Sequence, residues 1–204
     1  NNSYYMLINS KCPGTIIECG FLSNPSEEES LSKEEYQKKL AEIICTGIKE
    51  YFGEKLYKIC IDGGFTCPNR DGTLATGGCI FCSEGGSGEF TENASLSVSE
   101  QIHLGKSQTS RKYQGEHYIA YFQAFTNTYA PVERLEELFM PVAAREDICA
   151  LSVATRPDCL PVPVLDLLAR LNAIKPVFVE LGLQTMHEKT AEYIRRGYPL
   201  SVFE

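Results

Sequence analysis

Hydrophobic positions along the chain follow two plans. Before residue 54, a short apolar run at 15–19 predicts a buried strand, and Gly20 to Pro25 read as a turn. Ser26, Glu27, Glu28 and Glu29 then read as a polar link. Ser32 and Glu35 have the spacing of a capping box. Behind them Tyr36, Leu40, Ile43, Ile44, Ile48 and Tyr51 recur at helical spacing, and Gly53 predicts the helix end.

From residue 54 onward, apolar runs of strand length alternate with amphipathic stretches. Strands are predicted at 57–61, 118–122, 148–154 and 177–183. Ser97 and Glu100 form a second capping box, ahead of a polar helix running towards Arg111. Pro131 suits the first turn of a helix with Val132, Leu135, Leu138 and Phe139 on one face. Pro163 opens another, with Leu165, Leu168 and Leu171 apolar, and 188–196 is predicted as a last helix. Alternating βα units predict an α/β fold with a parallel sheet or barrel. About four units of roughly 30 residues fit, too few for an eight-stranded barrel. The expected architecture is a partial (β/α) barrel over 54–204, preceded by a strand–helix fragment over 1–53. The sequence stops at Glu204 where a fifth unit is due.

Composition narrows the function classes. The chain has 204 residues, 43% hydrophobic and 23% charged, the balance of a water-soluble globular protein. A net charge of −8 argues against wholesale nucleic-acid binding through a basic surface. No apolar run is long enough to span a bilayer, so no membrane partner is expected. Nine cysteines in a chain of this size do not read as a small disulfide scaffold. Free thiols or metal thiolates are expected instead.

The chemistry concentrates in "CPNRDGTLATGGCIFC", residues 67–82. Cys79 and Cys82 place two soft donors within reach of one centre, and the Gly-rich gap lets Cys67 return to it. Three thiolates on a cubane iron–sulfur cluster leave one iron without a protein ligand. The residues alone also admit a zinc site, with Cys60 as a fourth ligand, or a redox pair at Cys79–Cys82. Cys12, Cys19, Cys45, Cys149 and Cys159 read as small buried apolar residues.

Together with "YFQAFTNTYAPVERL", "LSVATRPDCLP", "VELGLQT" and "RRGY", this stretch resembles the YhcC-type radical S-adenosylmethionine (SAM) family, relatives of the elongator catalytic subunit. The C-x11-C-x2-C spacing is the pattern of that subfamily. The resemblance implies a 4Fe–4S cluster on Cys67, Cys79 and Cys82, with SAM on the open iron. It implies reductive cleavage of SAM to a 5′-deoxyadenosyl radical, a flavodoxin- or ferredoxin-type reductant and a cytoplasmic location. The substrate is unknown, with tRNA suggested by analogy. Gln184 and Arg196 match SAM-holding positions, and Gln123 is a further cofactor-binding candidate. For Arg196 the residues equally admit a solvated helix end. Arg156 and Asp158 read as a structural turn around Pro157. Ala154 stands where related families carry Glu, and Tyr198 where they carry His.

Residues 1–53 carry "NSKCPGTIIECGFLSNPSEEESL", which resembles the C-terminal end of a CwlD-type, zinc-dependent N-acetylmuramoyl-L-alanine amidase. Glu18 matches that family's catalytic carboxylate. The family's zinc ligands lie upstream of this segment, and residues 1–53 contain no His. Glu18 is therefore expected to be inactive here. Cell-wall hydrolysis and a reductive cluster belong to different compartments, so the junction at Gly53–Glu54 is expected to be a fusion of two truncated neighbours.

Overall fold

The computed structural model describes residues 24–111 and 114–203. The strand expected at 15–19, together with Cys12, Glu18 and Cys19, lies outside them. Two compact units divide between Leu56 and Tyr57.

The first unit holds two helices, α1 (Pro25–Leu31) and α2 (Glu34–Phe52). The expected polar link at 26–29 is helical. Asn24 caps α1 by accepting from Ser26 N, Pro25 fits its first turn, and Glu27 and Glu28 complement the helix dipole. The Ser32/Glu35 capping box does not form. The Ser32 hydroxyl donates back to Glu29 O at the end of α1, and Lys33 is the N-cap of α2 with no side-chain bond. Tyr36, Leu40, Ile44, Ile48 and Phe52 form a half-buried stripe at four-residue spacing, while Ile43, Cys45 and Tyr51 are exposed. Gly53 ends α2 with φ +77, a left-handed cap that only glycine adopts without strain.

The second unit is α/β. Its strands are β1 (Tyr57–Ile61), β2 (Tyr118–Phe122), β3 (Ile148–Thr155) and β4 (Val177–Leu181). All pair in parallel, in chain order β1-β2-β3-β4, as one four-stranded sheet. Strand β4 ends at Leu181 rather than 183, where Gly182 begins an irregular segment. The helices are α3 (Val98–Thr109), α4 (Val132–Ala143), α5 (Val162–Asn172) and α6 (Glu188–Tyr193). α3 starts from the expected capping box: Ser97 and Glu100 bond to each other's backbone N–H. α6 stops at Tyr193 and not at 196, because Arg195 and Gly197 both take positive φ.

One sheet face is apolar. Ile59, Ile61, Ala120, Phe122, Leu151 and Val153 pack under α3, α4 and α5, with Phe122 edge-on to Phe139 at 4.8 Å. Gly105 lets α3 approach β1 closely: a Cβ there would lie 2.5 Å from Ile59 Cγ2. α5 buries Val164, Leu167, Leu168 and Leu171. The expected Leu165 is instead 48% exposed, since the face turns on Val164.

The other face alternates with it and is partly polar. Lys58, Tyr121, Ser152 and Glu180 lie there, and Lys58 Nζ meets Glu180 Oε1 at 2.5 Å. Strands are about 4.8 Å apart, so the pair spans about 14 Å of sheet. Cys60 is on this face, half-buried, and outside the apolar core. Cys149 is also half-buried, whereas Cys159 is buried as expected. Among the described residues, no helix is long and apolar enough to cross a membrane.

Candidate functional site

The loops at the carboxyl ends of the strands enclose a pocket of about 320 Å³. Ligands of parallel α/β sheets gather at this end. Cys67, Cys79 and Cys82 all line it, delivered by the loop after β1. That loop is held by its own backbone: Cys67 O accepts from Arg70 N at 2.8 Å, and Asn69 O from Gly78 N at 2.8 Å. Arg70 staples its two halves, donating to Glu84 O at 3.1 Å and to Ser83 O. Gly78 must be glycine for this: its φ is +69, and a Cβ would sit 2.9 Å from Arg70 Nε.

The thiols are not equivalent. The hydrogen bond from Cys82, followed by one from Asn69 and the charges of Arg156 and Arg70, pulls Cys79 down to about 6 against the pull of burial. The same bond to Cys79, together with burial, pushes Cys82 up. Of the two, Cys79 is the thiol whose ionisation its surroundings favour, as is typical of a reactive or metal-binding thiol. Among the described residues, no group of three or more His, Cys, Asp or Glu is set at metal-ligand spacing. The donor set itself is soft, a chemistry that suits an iron–sulfur centre. Cys60 does not line the pocket, so it does not complete a four-sulfur zinc site.

Gln184 and Gln123 reach the pocket from the ends of β4 and β2. Gln184 has φ +68, strained for a side chain of its size, and Gly182 leaves room for its amide. Gln123 Nε2 is buried and has no hydrogen-bond partner among the described residues. Such a donor is costly unless a ligand meets it. Arg196 is not at a solvated helix end: it is 1% exposed. Its guanidinium donates to Tyr198 O at 2.9 Å, Thr185 O at 2.5 Å and Leu183 O at 3.4 Å, and meets Glu188 at 3.3 Å. Arg156 binds Asp158 through both nitrogens at 2.8 and 2.7 Å, forming the expected turn. Tyr198 lies near both guanidiniums, at 5.1 Å from Arg156 and 4.7 Å from Arg196, and its hydroxyl donates to Gly182 O.

Glu180 and Tyr121 form the inner wall of the pocket. Burial raises the Glu180 carboxyl, but hydrogen bonds from Lys58 and Ser152 and the Lys58 charge outweigh it, so the net direction is down. Neither Tyr121 nor the strained pair Ser87 (φ 67) and Phe125 (φ 60) announces itself in sequence. Only the glycines around Ser87 hint at close backbone approach: a Cβ on Gly86 would lie 2.3 Å from the Phe125 ring.

Comparison with known proteins finds relatives of two kinds. Residues 1–50 match the family model described as N-acetylmuramoyl-L-alanine amidase. The germination-specific N-acetylmuramoyl-L-alanine amidase of Bacillus subtilis is 53% identical over 51 residues, covering 25% of this chain and 22% of that protein. The uncharacterized protein YtqA of Bacillus subtilis is 52% identical over 156 residues, 76% of this chain and 48% of its own length. Protein YhcC of Escherichia coli is 38% identical over 169 residues, covering 81% of this chain and 53% of its own length. The chain thus spans about half the length of its YtqA and YhcC relatives.

Proposed function

We propose that residues 54–204 are the cofactor-holding part of a radical SAM protein, built as a partial (β/α) barrel. The observation that carries this reading is the meeting of Cys67, Cys79 and Cys82 on one pocket at the carboxyl end of a parallel sheet. In it, these three residues hold a 4Fe–4S cluster, and Gln184 and Gln123 offer amides to SAM. Arg196 holds the segment that carries Gln184, through its bonds to Leu183 O and Thr185 O. The SAM carboxylate would meet Arg196 only through a rearrangement of those carbonyl bonds. When bound, the cluster supplies the electron that cleaves SAM to methionine and a 5′-deoxyadenosyl radical. The chain's own residues bind and orient the cofactors. The electron donor is a flavodoxin- or ferredoxin-type protein, the compartment is the cytoplasm, and the substrate class in view is tRNA.

Anaerobic reconstitution with iron and sulfide tests this. A brown protein carrying about four irons per chain, its thiolate-to-iron absorption lost in Cys79→Ala, is expected. Stoichiometric zinc with no cluster would overturn the reading in favour of a non-catalytic zinc module.

The family match at residues 1–50 favours a second reading for that segment alone, a fragment of a zinc-dependent amidase. In this reading Glu18 is its catalytic carboxylate, and residues 1–53 themselves carry no His to hold zinc, so these 204 residues are expected to be inactive. Release of peptidoglycan fragments by the zinc-supplemented 204-residue chain would refute that inactivity. Sequencing the DNA on both sides of the reading frame tests whether the two segments are a fusion of neighbours.

A further inference from the structure

Asn69 is 2% exposed and carries no charge, yet its side chain joins two distant parts of the pocket. Its Nδ2 lies 3.3 Å from Cys79 Sγ, 2.8 Å from Arg195 O and 3.1 Å from Arg196 O. Two amide hydrogens are therefore shared among a sulfur and two carbonyls. The receiving turn is shaped for this contact. Arg195 has φ +57 and Gly197 φ +82, and a Cβ on Gly197 would lie 2.4 Å from Asn69 Oδ1. Further bonds fix the same turn: Arg156 Nη1 donates to Arg196 O at 3.0 Å, and Ile80 N to Ile194 O at 3.2 Å. Through the bonds of Arg196 to Leu183 O and Thr185 O, the network continues to the segment that carries Gln184.

We propose that Asn69 is a positioning residue: its amide sets the place of the Cys79 sulfur against the Arg195–Arg196–Gly197 turn and donates a hydrogen bond to that sulfur. The inference rests on the radical SAM reading above. Hydrogen bonds to ligand sulfurs help to set a cluster's reduction potential. A donor stabilises the more negative, reduced state, so its removal lowers the potential.

The test is an anaerobic potentiometric titration of the reconstituted 204-residue chain, followed by electron paramagnetic resonance, with iron counted per chain. Asn69→Ala is expected to shift the reduction equilibrium about tenfold towards the oxidised state, about 59 mV lower for one electron. Asn69→Asp replaces the donor with a carboxylate and is expected to shift it further in the same direction. Gly197→Ala displaces the amide without altering Asn69, and is expected to move the potential the same way. Leu165→Ala, exposed on α5, is the control and leaves it unchanged. Should Asn69→Ala fail to fold, Gly197→Ala carries the measurement. A fully loaded variant with a lowered melting temperature but a wild-type potential would overturn the proposal, because that is the behaviour of a merely structural residue. Absence of any cluster in the wild-type chain would overturn the radical SAM reading instead, a separate result.

Discussion

The two ends of the sheet differ in how completely their polar groups are satisfied. At the amino end, Asp147 stands just before β3 and takes two bonds from Arg145 at 2.8 Å and one from Lys106 at 2.9 Å. Its carbonyl accepts from Tyr118 N at 2.9 Å, and Lys175 closes the layer on Arg145 O and Ile148 O. At the carboxyl end, Gln123 Nε2 and Asn127 Oδ1 are buried without partners among the described residues. The non-glycine residues with positive φ among the described residues are Ser87, Phe125, Gln184 and Arg195. The first three line the pocket, and the fourth is bonded to Asn69 beside it. Strain and unused hydrogen-bonding capacity collect where a ligand is expected, while the opposite end is built for stability. Substitutions should therefore have opposite signs at the two ends.

The largest effect is expected from Asp147→Ala, which leaves Arg145 and Lys106 facing each other without their shared anion. Urea unfolding should show a loss of about 3 kcal/mol. The acid limb of stability comes next. Hydrogen bonding from Arg145, then from Lys106, holds the Asp147 carboxyl at about 2 against the opposing pull of burial. The native state thus binds fewer protons than the unfolded state between about pH 4 and pH 2. That contribution, about 2 kcal/mol, is fully present above about pH 4 and lost as pH falls through about 2. Asp147→Asn should flatten that part of the pH–stability curve. At the other end the sign reverses. Gln123→Met removes an unpaired buried donor and should leave stability unchanged or raise it by up to about 1 kcal/mol. The smallest effect is expected from Ser87→Gly, which relieves a positive φ of 67 and should add about 0.5 kcal/mol in thermal unfolding. A loss of 2 kcal/mol or more from either carboxyl-end change would break the contrast.

The strands were legible because each is a short, mostly apolar run of strand length set between helical or loop stretches. The expected bounds of β1 and β2 match the structure, and β3 runs one residue further, to Thr155. α1 was hidden because its residues are polar and its support comes from a cap and charges rather than an apolar stripe. Ser32 had the right spacing for an N-cap, but its hydroxyl was already drawn to the carbonyl of Glu29. The misplacement of Leu165 shows how two adjacent apolar residues, Val164 and Leu165, leave a helix face open by one step. At the site, cysteine spacing carried the thiols, since three donors in one loop need no tertiary information to be noticed. Asn69, Phe125 and the caged guanidinium of Arg196 left no such mark. Asn69 and Arg196 depend on residues 183–198 folding back over the loop, and Phe125 on its contact with Gly86, and no periodicity records either.

The chain-order sheet has a consequence for biosynthesis. Each βα unit can settle beside the one made before it, so the second unit can assemble as it leaves the ribosome. The cysteine loop is finished at Cys82, yet the carbonyls that share Asn69 with Cys79 belong to Arg195 and Arg196. At about 5–20 residues per second, those are translated roughly 6–23 s later. During that interval the nascent thiols are already made but not yet tied to their turn.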